Sequence, residues 1–325
     1  MRKLPRTNSG QALLIMVVTM AGILILLVSV ASRSIVDIKT TSFEKEALRS
    51  FSAAEAGVEE ALLTGVGSTE TLDPGTDTSF ETTFDTPAVS SEFVHPGSFV
   101  SGETATFWFT ERDTDGNFTC TGNCYRGPRI NNICWGVKNP GGYDSGKMPA
   151  VEILVYYDDT FQSVSSPNDY SGVKVSRRVF DPVESRSNTN NFDYVTPSSC
   201  SIGDTTFSFQ TGEILFEDEL DGGGNQIGFP GMPAPGLCSN FQGCVLMVKV
   251  KMLYNDDSGG TDPFADRMGI NVQATGLGLA PQGVRIESVG RSGESTRKFE
   301  VFQGYNDPPP VFENAIFSYE DLTKP

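Results

Sequence analysis

A chain of 325 residues is long enough for one large domain or two smaller ones. Its formal net charge of −17, from 41 acidic against 24 basic side chains, gives a surface that repels phosphate backbones and argues against nucleic acid as a partner. With 34 Gly and 19 Pro beside 22 Phe, turns are frequent and the core is aromatic, which favours many short strands over a helical bundle.

The N-terminus comes first in the chain and carries the most information. No charged residue lies between Arg6 and Arg33, and Ala12–Ala31 is a largely apolar run without proline. As a helix it covers about 30 Å, the thickness of a bilayer core. Arg2, Lys3 and Arg6 stand just before it, so the first residues are expected to stay cytoplasmic and the rest to be exported across a single-pass inner membrane anchor. Ser29-Val30-Ala31 also offers the small-residue pattern of a secretory cleavage site, but the apolar run is longer than the usual 7–15 residues of such a signal.

Helix formers continue beyond the apolar run. Proline is absent from Gly10 to Leu72, and Val36, Thr40, Phe43, Ala47, Phe51, Ala54, Val58 and Leu62 recur at steps of three or four. That spacing makes one stripe of an amphipathic helix ending near Gly65–Gly67, expected to seat a globular domain.

The leader and helix resemble a known pattern. A basic leader, then Ser9-Gly10-Gln11-Ala12-Leu13-Leu14, then an apolar helix is similar to the class III signal of type IV pilins and pseudopilins. The run Arg49-Ser50-Phe51-Ser52-Ala53-Ala54-Glu55-Ala56-Gly57-Val58-Glu59-Glu60-Ala61 resembles the helix of PilX-type minor pilins, and Pro308–Ser318 resembles the ends of some bacterial pilin-like proteins. The resemblance implies cleavage between Gly10 and Gln11 by prepilin peptidase. It also implies packing of Leu13, Ile15, Val18, Ile23, Leu27, Phe51 and Glu55 against other pilin-like subunits. Major pilins of the family carry Glu as the fifth mature residue, where this chain has Ile15. The type II secretion pseudopilin K also lacks that Glu and is associated with the filament tip, which makes a tip position the more attractive one here.

Past Gly67 the composition shifts. Ser68–Glu92 is rich in Thr, Ser, Asp, Gly and Pro and reads as a loop with at most one short strand. Thr104–Thr110, Val151–Tyr157, Val173–Val179 and Thr205–Phe209 read as strands, and Val248, Val250 and Met252 alternate inward against Lys249 and Lys251 outward. Val284–Val301 reads as a hairpin turning at Val289–Ser295. The expected class is α+β, a long helix on a mainly antiparallel β head, which is also the pilin plan. The expected division is a leader over 1–10, a helix over 11–66 with its membrane part at 12–31, and a head over 67–325. Two β units within the head would meet near 181–199.

Six cysteines, Cys120, Cys124, Cys134, Cys200, Cys238 and Cys244, all follow the apolar run, so disulfides are expected. Fifteen connectivities exist; the shortest loops would join Cys120–Cys124 or Cys124–Cys134, and Cys238–Cys244. A catalytic role is not expected. The single histidine, His95, sits in a loop context as an exposed residue, with no Gly-x-Ser-x-Gly elbow in the chain. Asp221–Asn225 lacks the Gly-Lys-Ser/Thr ending of a phosphate loop and reads as a turn. Asp113, Asp115 and Asn117 have the alternating oxygens of a calcium loop, yet Gly122 stands where its closing carboxylate belongs; Asn255, Asp256, Asp257, Asp262 and Asp266 form a second oxygen-rich stretch. No other cofactor is expected. The resemblance thus implies a minor pilin-like filament subunit, no enzymatic role is expected, and a bitopic membrane-anchored adhesin or carbohydrate-binding β domain that does not polymerise is the alternative.

Overall fold

A computed structural model describes residues 9–75, 77–112, 118–119, 125, 127–136, 143, 147–158, 173–232, 245–255, 266–272 and 278–307. In chain order the elements are α1 (Ser9–Thr64), β1 (Thr69–Asp73), β2 (Thr78–Asp85), β3 (Glu92–Val94), β4 (Thr104–Trp108), β5 (Glu111–Arg112), β6 (Phe118–Thr119) and β7 (Arg129–Trp135). The chain continues through β8 (Ala150–Asp158), β9 (Val173–Asp181), α2 (Glu184–Asn190), β10 (Asp193–Tyr194), β11 (Cys200–Ile202), β12 (Thr205–Phe207) and β13 (Phe209–Gln210). It ends with β14 (Ile214–Leu215), β15 (Val245–Leu253), β16 (Met268–Val272), β17 (Gly283–Ser292) and β18 (Ser295–Gly304). The class is α+β, as the order of elements predicts.

The chain divides into two compact units. The first comprises Met1–Asp85 and Arg285–Val301; the second comprises Thr86–Val284 and Phe302–Pro325. A head unit is therefore inserted between two neighbouring strands of the helix-bearing unit.

In the first unit, α1 runs without interruption for 56 residues, as expected of a proline-free stretch. It stops where Gly65 takes a left-handed conformation (φ 70°), and the Gly65 N–H bonds back to the Ala61 carbonyl at 2.8 Å. The helix lies on a sheet of order β1-β2-β17-β18, in which β1–β2 and β2–β17 pair antiparallel. Strand β2 falls within the stretch expected to be a loop. Its Thr-rich composition hides a regular alternation, with Thr78, Phe80 and Thr82 buried and Ser79, Glu81 and Thr83 turned away. Strands β17 and β18 form the expected hairpin, with the turn narrowed to Gly293-Glu294.

The second unit has two larger sheets, β10-β9-β8-β15-β4 and β13-β7-β16-β3, with β14 also pairing β7. One aromatic core joins their inner faces. Phe107, Ile153 and the alternating Val248, Val250 and Met252 come from the first sheet, and Ile130, Ile133, Trp135 and Ile270 from the second. Lys249 departs from the expected alternation. It does point away from that core, yet it is only 1% exposed, and its Nζ pairs with Asp307 at 2.8 Å. The Ser/Asn-rich stretch 181–199 carries α2 and β10 within this unit, and the buried Asp181 carboxylate there pairs with Arg186 at 2.6 Å.

Candidate functional site

The N-terminal half of α1 is apolar all round. It is the one helix among the described residues long and apolar enough to cross a membrane. Leu13, Ile15, Val18, Ile23 and Leu27 are each between 56% and 68% exposed, so this chain offers their surfaces to something outside itself. The backbone at Gly10 and Gln11 is already helical.

The distal half of α1 is built differently. The side facing the sheet is made of Ser50, Ala53, Ala54, Gly57 and Ala61, all buried. The larger members of the expected stripe are not the docking face: Phe43, Phe51 and Leu62 remain 51%, 45% and 43% exposed. Small residues let the helix backbone come close to the strands. A Cβ on Gly57 would strike Phe80 Cδ2 at 2.7 Å, and one on Gly290 of β17 would collide with the Ser50 carbonyl.

Such closeness brings hydroxyls into the seam, and each finds a partner there. Thr82 donates to Ser288 at 3.1 Å, Thr78 and Ser292 share a bond of 3.0 Å, and Ser50 bonds Ser295 at 3.0 Å. The opposite sheet face is exposed and laced by ion pairs, Arg291–Glu81 at 3.1 Å, Lys298–Glu287 at 2.7 Å and Arg285–Glu300 at 2.6 Å.

Because the large residues are left out of the seam, a groove runs beside it. Glu44, Ala47, Leu48 and Phe51 of α1 form one wall, and Arg297, Lys298 and Phe299 of β18 the other, around about 620 Å³. Phe51 and Phe299 meet edge to face at 4.8 Å across its floor. Glu55, one turn on, is exposed. Sequence reasoning found Phe51 but missed the seam; its signal was the density of Ser, Ala and Gly between Ser50 and Ala61. The alternation of Phe299 and Val301 with Lys298 and Glu300 marked a half-buried strand, but nothing in the sequence placed Phe299 or Arg297 beside α1.

In the head unit, His95, Asn255, Asp266 and Asp221 make hydrogen bonds within the fold. His95 is half-buried among Phe93, Phe99 and Phe107, against the expectation of an exposed loop residue. Burial, assisted by the Arg267 charge, lowers its pKa to about 4, and its Nδ1 accepts the Gly97 N–H at 3.0 Å. Of the second oxygen-rich stretch, Asn255 donates to the Phe99 carbonyl at 3.2 Å and Asp266 accepts the Tyr143 hydroxyl at 3.0 Å. Asp256, Asp257 and Asp262 lie outside the described residues, as do Asp113, Asp115 and Asn117. Among those described, no three His, Cys, Asp or Glu side chains are grouped to hold a metal ion. Asp221–Asn225 is a turn, its Asp221 carboxylate accepting the Gly223 and Asn225 N–H groups at 2.8 Å.

Cys134 is joined to Cys200, not to Cys124. Cys134 lies on β7 and Cys200 on β11, their Cα atoms 6.2 Å apart across 66 residues of sequence, so the fold overrides the short-loop preference. Cys120, Cys124, Cys238 and Cys244 lie outside the described residues, as does the stretch Pro308–Ser318.

Comparison with known proteins gives no matching family model, no similar curated protein and no similar solved structure.

Proposed function

We propose that this chain is a minor pilin-like subunit of a type IV pilus or related filament, processed by prepilin peptidase between Gly10 and Gln11 and assembled through its N-terminal helix. The carrying observation is the two-part design of α1. Its first half has large apolar side chains exposed on every side, and its second half is seated by small residues on an antiparallel sheet. A plain anchor needs only the first half; a rigid helical stem continuing far past the bilayer suits a subunit that is withdrawn from the membrane into a helical core. The family's acidic fifth residue is absent at Ile15, which favours a place at the end of the filament, and the role is structural and non-enzymatic.

The N-terminal residue of the mature protein, read from native membranes and sheared surface filaments, tests this. Gln11 is expected. Ser32 would mean a cleaved secretory signal, and an intact Met1 a permanent anchor such as a bitopic adhesin would use; either outcome rejects the filament reading.

A further inference from the structure

We propose that the residues after Asp307 turn back and add a fifth strand to the sheet of the first unit. In this arrangement 311–319 pairs antiparallel with the outer edge of β18, and Phe317 closes the groove beside α1.

Two features of that sheet lack a partner among the described residues. Strand β18 is ten residues long and stands at the edge of the order β1-β2-β17-β18, so alternate residues turn N–H and C=O groups outward to no described strand. Other edges of the fold are managed. Strand β1 is only five residues long, fully exposed, and carries the charges of Glu70 and Asp73. At β4, the N–H and C=O of Trp108 are both bonded by the Gln282 side chain at 2.7 Å. The second feature is the groove, where Leu48 and Phe51 are 69% and 45% exposed and Arg297 has no ion pair among the described residues.

The chain supplies a segment of matching chemistry. Residues 308–325 follow Asp307 and lie outside the described residues. Within them 311–319 has no Gly or Pro and is rich in Val, Ile, Phe and Tyr, the composition of a strand. Pro308, Pro309 and Pro310 cannot donate to a ladder and so belong to the connection before it. Asp307 lies eight residues after Phe299, and Phe317 ten residues after Asp307, so at about 3.3 Å per residue the chain reaches back to the groove. A parallel strand would first spend about ten residues running back along β18, and would not bring 311–319 there.

Parity then decides which side chains enter. Ser295 bonds Ser50 and Phe299 meets Phe51, so the odd-numbered residues of β18 face α1, while Lys298 and Glu300 pair across the far face. The shortest connection that keeps Glu313 away from Val301 sets Phe317 opposite Phe299. Ala315 then lies opposite Val301, Tyr319 opposite the Arg297 guanidinium, and Asp321 within diagonal reach of that charge. The even-numbered Asn314, Ser318 and Glu320 join the exposed, ion-paired face. Being tethered, the segment is held at an effective concentration on the order of millimolar, which favours it over a strand from another molecule. The contact closes within one subunit and does not propagate. It belongs to the folded chain whether or not that chain polymerises, so its test is independent of N-terminal processing.

A photoreactive benzophenone side chain placed at Phe317 of the full-length, detergent-solubilised chain tests the strand. The expected product migrates as a monomer and joins position 317 to a peptide carrying Leu48–Phe51 or Arg297–Val301. A covalent dimer, a product with an unlike protein, or a link elsewhere overturns the proposal. Hydrogen exchange gives the second readout. The outward amides of β18 should be protected in the unchanged chain, and Phe317→Asp should speed their exchange about tenfold or more. Ser318→Asp, on the far face opposite Lys298, should leave that protection as it is. Unprotected β18 amides in the unchanged chain, or equal loss in the two variants, would also overturn it.

Discussion

Gly290 of β17 leaves no room for a side chain against the Ser50 carbonyl of α1. A Cβ at the same position would also press on Ala54, so two successive turns of the helix are fitted to one strand at backbone distance. Replacing Gly290 by Ala must therefore push helix and sheet apart or distort one of them. A loss of about 1–3 kcal/mol is expected, the range for overpacking a close contact. The measurement is chemical denaturation of the detergent-solubilised chain, with protease sensitivity of α1 between Ser50 and Thr64 as the local readout. An Ala substitution that leaves both unchanged would mean that the seam is loose.

The aromatic edge of the groove gives a contrasting expectation. Phe299 is half-buried and touches Phe51, which is itself 45% exposed. Phe51→Ala removes one edge-to-face pair, worth about 0.5–1.5 kcal/mol beyond area burial, and so costs the folded monomer little. If Phe51 serves assembly and not the monomer core, the same change should reduce filament yield far more than thermal stability. Equal damage to both would assign Phe51 to the monomer core.

Much of this architecture was legible in the residues, and the failures have physical causes. The helix was readable because nothing between Gly10 and Leu72 breaks it, and the β17–β18 hairpin because Ile286, Phe299 and Val301 alternate with charges. Strand β2 was hidden because its buried face is Thr78, Phe80 and Thr82, which reads as polar even though the hydroxyls are paired inside the seam. The docking face of α1 was misplaced by size: hydrophobic periodicity favours Phe43 and Phe51, while close approach selects Ala and Gly. Lys249 and the Cys134–Cys200 link depend on segments distant in sequence, for which local pattern has no signal.

His95 links protonation to stability. Its folded pKa is lowered from 6.5 to about 4, so the unfolded chain binds the extra proton between those values. Stability is fully present above about pH 6.5, falls as pH drops toward 4, and no longer changes on this account below it. The upper bound is about 3 kcal/mol, reduced by partial exposure. As the only histidine, it gives a single imidazole titration by NMR. A midpoint near 6.5 would reject the buried setting, and His95→Gln should flatten the urea midpoint between pH 7 and 5.

The Cys134–Cys200 link encloses a sequence separation of 66 residues. Closing a loop of that length restrains the unfolded chain by about 4 kcal/mol in the entropic account. Replacing both by Ser should lower stability by roughly that amount and leave one fewer bond to detect in the non-reduced peptide map. A map pairing Cys124 with Cys134 would reject the connectivity.

Lys249 and Asp307 supply the last test, because their pair fixes the chain segment leaving β18. Asp307 also accepts the Thr106 hydroxyl, and Tyr305 and Phe302 add ring contacts with Trp108 and Phe93 on the same approach. Asp307→Ala would leave an ammonium that is 1% exposed without this carboxylate. Such a loss costs about 3–5 kcal/mol for a fully buried pair, and the lower end applies because Asp307 is 32% exposed. Lys249→Met combined with Asp307→Asn removes both charges and should recover most of that stability, since an apolar replacement spares the desolvation of the amine. The comparison of single and double variants by urea unfolding decides whether the pair is a covered electrostatic clamp. Equal losses in both would show that packing of Tyr305 and Phe302, and not the charge, holds the segment in place.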